Sequence, residues 1–234
     1  MFAYHQNDWP SLNARLSYTL RNTHKSCLQC DKIKSMKTEI EAKFLDINMV
    51  NLRKRLSAMG AVLMYSENLT RQEVFDFPDF ALDKNASWLR LREENKEVTL
   101  TLKKWEKEGI EGMQEIACIL DSFDEAERLL LAIGMRVKST QMKKRELWKF
   151  GSTELMIDTW PWIPTFLEIE GVSEKEVHEV ADMLGMDWSK AMFGGVARIY
   201  AKYFTVENEE IDRCALIEFS ETPEWLEKKR IARL

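Results

Sequence analysis

The sequence predicts an α+β protein built on a closed antiparallel β-barrel, with the charged face of the sheet inward and helices packed on its apolar outside. Strand after strand alternates charged with apolar side chains at a two-residue period. The charges also sort by sign, with carboxylates in the first and last strands and Arg and Lys in the middle ones. An antiparallel sheet with one face in water would account for any single strand of this kind. It does not account for the set, because solvated strand faces mix Thr, Ser, Gln, Lys and Glu freely. Closing the sheet with its charges inside does, and such an interior needs a charged ligand.

The first strand, residues 38–44, puts Glu39, Glu41 and Lys43 on one face. Two carboxylates and an ammonium in successive inward positions are costly to bury in apolar surroundings, so they lie in water or surround something polar. Residues 46–60 carry Val50, Leu52, Leu56 and Met59 at helical spacing, with Asp46 as a candidate cap and Gly60 as the stop. Residues 61–66 and 71–77 read as two strand segments rich in Val, Tyr and Phe, broken by Pro78. Residues 87–93 set Trp88, Arg90 and Arg92 against Leu89 and Leu91. Residues 97–104 set Thr99, Thr101 and Lys103 against Val98, Leu100 and Leu102. Glu94-Asn95-Lys96 between them is the expected hairpin turn.

Residues 113–120 form the next strand, with Glu115 and Ala117 on one face and Ile116 and Cys118 on the other, which makes Cys118 an expected core residue. Ser122 and Glu125 form a capping box for a helix to Gly134 with a stripe of Ala126, Leu129, Leu130 and Ile133. In residues 141–150 Lys143 and Arg145 share a face, and in 154–158 Met156 and Asp158 do. After Trp160-Pro161-Trp162-Ile163-Pro164, residues 166–170 repeat the opening pattern with Glu168 and Glu170. Ser173 and Glu176 cap a helix ending near Gly185, and 196–204 suggest another. Three regions are expected: a loosely ordered extension over 1–35, the barrel domain over 36–204, and a charged tail over 205–234 with one apolar stretch, 215–219.

Composition narrows the class. At 234 residues, with 45% apolar and 31% charged side chains, the chain can bury a sizeable core, and one main domain is expected. No run of eighteen apolar residues is present, and no basic segment followed by an apolar one opens the chain, so neither a membrane partner nor a secretory route is expected. Four unevenly spaced cysteines make a poor disulfide framework, which points to a reducing cytoplasm. Cys27 and Cys30 have the spacing of half a zinc site or a redox pair, but no second half follows. Met36 stands just before the first charged strand, so a start there is a further option. A net charge of −5 argues against a nucleic-acid surface and leaves room for a basic cavity inside an acidic exterior.

The inward set is balanced. Glu39, Glu41, Glu115, Asp158, Glu168 and Glu170 face Lys43, Arg90, Arg92, Lys103, Lys143 and Arg145. Arg and Lys in a fixed, partly dry channel suit phosphate oxygens, and a row of them suits a polyphosphate. Carboxylates gathered at one end repel one another unless a hard divalent cation sits among them, and Mg²⁺ or Mn²⁺ fits that role with substrate phosphate completing its shell.

Glu39-Ile40-Glu41-Ala42-Lys43 resembles the Glu-x-Glu-x-Lys signature of the CYTH domains, also called triphosphate tunnel metalloenzymes. These include class IV adenylate cyclases, thiamine triphosphatases and inorganic triphosphatases. The resemblance continues in order through Arg90-Leu91-Arg92, Lys103, Glu115, Arg145, Asp158 and Glu168-Ile169-Glu170, covering residues 36–204. It implies an eight-stranded tunnel in which Glu39, Glu41, Asp158, Glu168 and Glu170 bind Mg²⁺ or Mn²⁺, and Lys43, Arg90, Arg92, Lys103 and Arg145 bind the triphosphate. Lys143 joins that row from strand alternation alone, Glu115 is a less direct ligand, and Glu39, Glu41 and Lys43 are the candidate catalytic groups. Lys190 and Lys202 are further candidates reaching in from the C-terminal side.

Duller readings exist for each: a solvated strand face for Arg90 and Arg92, surface solubility for Glu168 and Glu170, ordinary exposed lysines for Lys190 and Lys202. The ordered set favours the tunnel. Its length and its strands over 143–145 and 166–170 look most like the branch of class IV cyclases and thiamine triphosphatases. The expected activity is conversion of ATP to cyclic AMP and pyrophosphate. Alternatives are hydrolysis of thiamine triphosphate, a nucleoside triphosphate or tripolyphosphate, and, from another class, a non-catalytic triphosphate or polyphosphate binder. The expected partner is a small triphosphate, with the oligomeric state open and a homodimer among the options.

Overall fold

The computed structural model describes residues 36–232. The extension expected over 1–35, with Cys27 and Cys30, lies outside the described residues. Strands β1 (Lys37–Phe44), β2 (Val62–Asp76), β3 (Ser87–Glu94), β4 (Glu97–Trp105), β5 (Met113–Leu120), β6 (Arg136–Phe150), β7 (Thr153–Thr159) and β8 (Phe166–Gly171) pair antiparallel all round. The ring runs β1-β8-β7-β6-β2-β3-β4-β5 and returns to β1, so no edge of the barrel is left open. A two-residue strand β9 (Leu216–Ile217) adds to β6 in parallel at Thr140 and Gln141.

Six helices lie outside the ring: α1 (Met49–Ala58), α2 (Phe123–Ala132), α3 (Glu174–Met183), α4 (Ala197–Tyr200), α5 (Asn208–Asp212) and α6 (Glu224–Glu227). The apolar faces of the strands meet them in three clusters. Leu52, Leu56, Val177 and Val180 of α1 and α3 cover Ala42, Leu155, Ile157, Leu167 and Ile169 of β1, β7 and β8. Phe123, Ala126 and Leu130 of α2 cover Phe75, Leu91 and Val98 of β2, β3 and β4. Trp160 and Phe166, where β7 ends and β8 begins, are packed by Tyr200, Phe204, Ile211, Ile217 and Leu226. Burying apolar sheet faces this way frees the opposite faces to line the interior.

Local chemistry sets the boundaries. Ser122 and Ser173 accept from the backbone N–H groups of Glu125 and Glu176 at 3.2 Å, as their spacing predicts. Between β3 and β4, Asn95 and Lys96 both take left-handed backbone (φ 47° and 71°), the geometry of a two-residue hairpin turn that matches strand twist.

Several expectations change. Helix α1 is capped by Asn48, whose side chain accepts from Asn51, while Asp46 lies outside it with φ 55°. The two strand segments over 61–77 are one strand, which keeps pairing with β6 through register shifts near Leu63, Tyr65 and Asn68. Val50, Leu129 and Ile133 lie on solvent, because each helix buries a narrower stripe than its apolar pattern offers. Cys118 is exposed too, since no helix covers that part of the outer face of β5, where Ile116 is also exposed. The segment read as a charged tail is packed: Ile211, Ile217 and Leu226 are almost wholly buried and the charges between them face out. Among the described residues no helix is long and apolar enough to cross a membrane.

Candidate active site

Inward positions two residues apart bring the predicted side chains to one interior. The registers seat Glu41 opposite Glu170, Lys43 opposite Glu168, Lys103 opposite Glu115 and Arg145 opposite Asp158. Arg90 and Arg92 stand opposite Thr101 and Thr99. Of the predicted site residues only Lys190 and Lys202 are not brought in. Lys190 is exposed and pairs with Asp187 at 3.8 Å, and Lys202 is exposed on the C-terminal segment.

One wall is acidic. The Lys43 ammonium lies 2.5 Å from Glu41 and 3.3 Å from Glu168, and Lys103 lies 2.6 Å from both oxygens of Glu39 and 3.7 Å from Glu115. Among the described residues Glu170 pairs only with the exposed Lys37, at 3.5 Å. Burial, helped by the charges of Glu168 and Glu39, pushes the Glu41 carboxyl up to about 7 despite Lys43. Burial and the neighbouring Glu39 likewise raise Glu170 and Glu115. Glu168 goes the other way: against burial, Lys43 and Arg145 hold it far below the usual carboxylate range. Lys103 also lowers Glu39 against its burial. The wall carries more carboxylates than its cations can keep ionised.

The facing wall is basic. Asp158 takes a two-pronged contact from Arg145, Nε and a terminal nitrogen both at 2.6 Å, and a third from Lys143 at 2.9 Å. Arg90 and Arg92 are served far worse, for the Nε of each is buried with no hydrogen-bond partner. Burial and the adjacent Arg92 push Arg90 down to about 10, and burial with Arg145 pushes Lys143 down to about 8. This side lacks negative charge.

Glu94, expected in the turn, instead ends β3 and faces inward. It accepts from the Tyr65 hydroxyl at 2.8 Å and lies 3.6 Å from Arg92, 3.8 Å from Arg145 and 4.0 Å from Lys143. Those cations overcome burial and hold it at about 2. The signal was the period Arg90, Arg92, Glu94, carried one step further. Gln72 and Gln141, also inward and hydrogen-bonded to each other, gave no charge to read.

The interior encloses a cavity of about 320 Å³. Lys43, Arg90, Lys103, Lys143 and Arg145 line it together with Glu41 and Glu168, and Trp88, Trp105, Trp160, Phe166 and Met113 give it an aromatic and apolar part. Arg198 lines it too, its guanidinium 4.9 Å from the Trp105 ring and bonded to Glu108 at 2.6 and 2.8 Å.

Among the described residues no three carboxylates converge closely enough to grip an ion as the side chains stand. By donor chemistry, though, Glu39, Glu41, Glu168 and Glu170 fit a hard divalent cation: they offer only oxygen, sit on two neighbouring strands, and include two carboxyls that resist ionisation without added positive charge. Asp158 fits less well, since both its oxygens are engaged by Arg145 and Lys143.

Among the solved structures that match the fold are three with TM-scores above 0.5. An adenylate cyclase candidate from Vibrio parahaemolyticus is 17% identical, covering 71% of this chain and 99% of its own, with a TM-score of 0.63. A conserved protein of Pyrococcus furiosus is 23% identical (66% and 95% covered, TM-score 0.55), and one from Pyrococcus horikoshii is 19% identical (70% and 98%, TM-score 0.57). At these identities the likeness is one of fold. No curated protein sequence matches the chain. The sequence profile of the CYTH domain matches residues 37–185, from the first tunnel strand past the last. With more than half of its length matched, the chain belongs to the CYTH domain family.

Proposed function

We propose that the chain is a divalent-metal-dependent enzyme acting on a triphosphate inside the tunnel, most like a class IV adenylate cyclase that turns ATP into cyclic AMP and pyrophosphate. The observation that carries this reading is that Arg90 and Arg92 each bury an Nε with no partner among the described residues, Arg90 lining a cavity shared with Lys43, Lys103, Lys143 and Arg145. Buried donors without acceptors are costly, and phosphate oxygens supply what they lack.

In this reading the basic wall holds the phosphates in line and gathers the charge that develops on the departing pyrophosphate. Glu39, Glu41, Glu168 and Glu170 would hold Mg²⁺ or Mn²⁺, which when bound neutralises phosphate charge and aligns the reacting oxygens. Asp158 fixes Arg145 and Lys143, and we assign it to that task first and to the metal second. The Glu41 carboxyl, pushed up to about 7 while no metal is bound, would be held ionised by the divalent cation and so serve it as a ligand. Lys43, bonded to both Glu41 and Glu168, keeps the two carboxylates in place.

Incubation with ATP, thiamine triphosphate or tripolyphosphate plus Mg²⁺ or Mn²⁺, with cyclic AMP, pyrophosphate and phosphate separated, tests the reading. Cyclic AMP with pyrophosphate is the expected outcome. Phosphate release alone makes the chain a triphosphatase, and binding with no turnover of any of the three makes it a binding module. Glu39→Gln or Glu170→Gln is expected to remove the metal-dependent activity while leaving the apolar exterior, and so the fold, intact.

A further inference from the structure

Along the seam where β2 meets β6, the inward side chains change character in step. Thr70 stands opposite Lys143, Gln72 opposite Gln141, and Val74 opposite Ser139. Cation gives way to amide, and amide to small and apolar groups. Gln72 and Gln141 both line the cavity and are 4% and 7% exposed. They belong to a chain of hydrogen bonds: Gln72 Nε2 donates to Gln141 Oε1 at 2.6 Å, Gln141 Nε2 donates to Ser139 Oγ at 3.0 Å, and Ser139 Oγ donates to the Cys214 carbonyl at 2.5 Å.

A carbonyl oxygen only accepts, so the last link sets the direction of all the others. Ser139 spends its one proton on Cys214, and its oxygen is left to accept from Gln141. Gln141 in turn presents its oxygen to Gln72. Turning either amide over would set oxygen against oxygen or nitrogen against nitrogen. The Cys214 carbonyl is itself fixed, because Thr140 N–H donates to the next carbonyl, Ala215, at 2.9 Å, and β9 then pairs with Thr140 and Gln141. The C-terminal segment therefore dictates that Gln72 ends the chain with an oxygen, and that oxygen is buried with no donor among the described residues.

A buried acceptor without a donor costs about 1–3 kcal/mol. A phosphate oxygen cannot relieve it, being an acceptor too. We propose that Gln72 is a specificity-determining residue whose Oε1 accepts a hydrogen bond from an N–H or O–H on the organic part of the substrate, so that the tunnel selects an organic triphosphate over inorganic tripolyphosphate. This rests on the triphosphate reading of the same cavity and narrows its substrate class. The phosphates lie against the cations, among them Arg90 of β3, which stands opposite Val74, and the organic part lies along the β2–β6 seam at Gln72, Gln141 and Val74.

The test is calorimetric titration of ATP and, separately, of tripolyphosphate into the full chain with Mg²⁺. The wild type is expected to bind ATP more tightly than tripolyphosphate. Gln72→Met, of similar length but with no acceptor, is expected to lower the ratio of ATP to tripolyphosphate affinity roughly 3- to 10-fold, the worth of one neutral hydrogen bond. Ser139→Ala, a small change that removes the hydroxyl fixing the direction of the chain, is expected to lower the same ratio by less, and it carries the test if Gln72→Met does not fold. An unchanged ratio in a folded Gln72→Met, or in Ser139→Ala when that variant alone folds, overturns the proposal, as does a wild type that binds tripolyphosphate but not ATP. A wild type that binds neither overturns the triphosphate reading itself.

Discussion

The two walls of the tunnel are built alike and fail to satisfy themselves in opposite ways. On β1 and β8, four carboxylates share Lys43, Lys103 and the exposed Lys37, and Glu41 and Glu170 resist ionisation. On β3, β6 and β7, Asp158 and Glu94 serve Arg145, Lys143 and Arg92, and Arg90 has no carboxylate within ion-pair distance among the described residues. One wall is short of a cation and the other of an anion. Arg145, 3.4 Å from Glu168, bridges the two walls without making good either shortage, and a complex of a divalent metal with a triphosphate would supply both at once.

The largest effect is expected from breaking the basic wall. Arg90→Ala combined with Arg92→Ala should lower kcat/KM on the preferred triphosphate by roughly 10²-fold or more, the scale seen when preorganised donors to developing charge are removed. Steady-state kinetics alongside a far-ultraviolet spectrum would check it. A loss below about tenfold, with the fold intact, would mean that the anion sits elsewhere.

Breaking the acidic wall should show in stability as well as rate. The Glu41 pKa rises from an ordinary 4.5 to about 7, so the folded state holds that proton more tightly than the unfolded chain does. Its stabilising contribution is complete below about 4.5 and is lost as pH rises through 7. Without metal, the Tm should climb as pH is lowered from 8 to about 6, and Glu41→Gln should flatten that slope. Added Mg²⁺ or Mn²⁺ should raise the wild-type Tm more than that of Glu41→Gln, by linkage worth about 2.7 kcal/mol at a hundredfold excess over Kd. Equal slopes and equal shifts in the two proteins would break the contrast between the walls.

The smallest effect sharpens the basic side. Lys143, with a pKa of about 8, loses its charge as pH rises through that value. KM for the triphosphate should therefore rise several-fold between pH 7 and 9, and Lys143→Arg should remove most of that rise because a guanidinium stays charged. A pH-independent KM would exclude Lys143 from phosphate binding.

How legible all this was in the sequence followed from what each residue contributes. Glu39, Glu41, Arg90, Arg92, Arg145, Glu168 and Glu170 were readable because a strand shows its inward face every second residue and charge is rare on such a face. Glu94 followed the same rule, but an adjacent Asn95-Lys96 turn masked it. Gln72, Gln141 and Ser139 are neutral, and their roles depend on a carbonyl some 75 residues away from Ser139 in sequence, which no local pattern carries. Lys190 and Lys202 were counted for charge alone, and charge alone leaves a lysine in water. The packing of 205–232 was hidden because its few buried residues are spread among many charged ones.

The ring also has an uneven circumference. Strands β2 and β6 share a long ladder, whereas β1 meets β5 through three residue pairs, Lys37 to Glu39 against Glu115 to Met113. Beyond them the edge of β1 away from β8 bonds to Ile110 and to Met192, which exchanges backbone bonds of 2.9 Å with Lys43. With three pairs against the twelve between β2 and β6, that short seam is the joint expected to part first. The barrel behaves less like a rigid pipe than like a cuff with a clasp, and the clasp lies along the strand that bears Glu39, Glu41 and Lys43. Opening of the ring is therefore expected beside Glu39, Glu41 and Lys43 before it reaches the β2–β6 side.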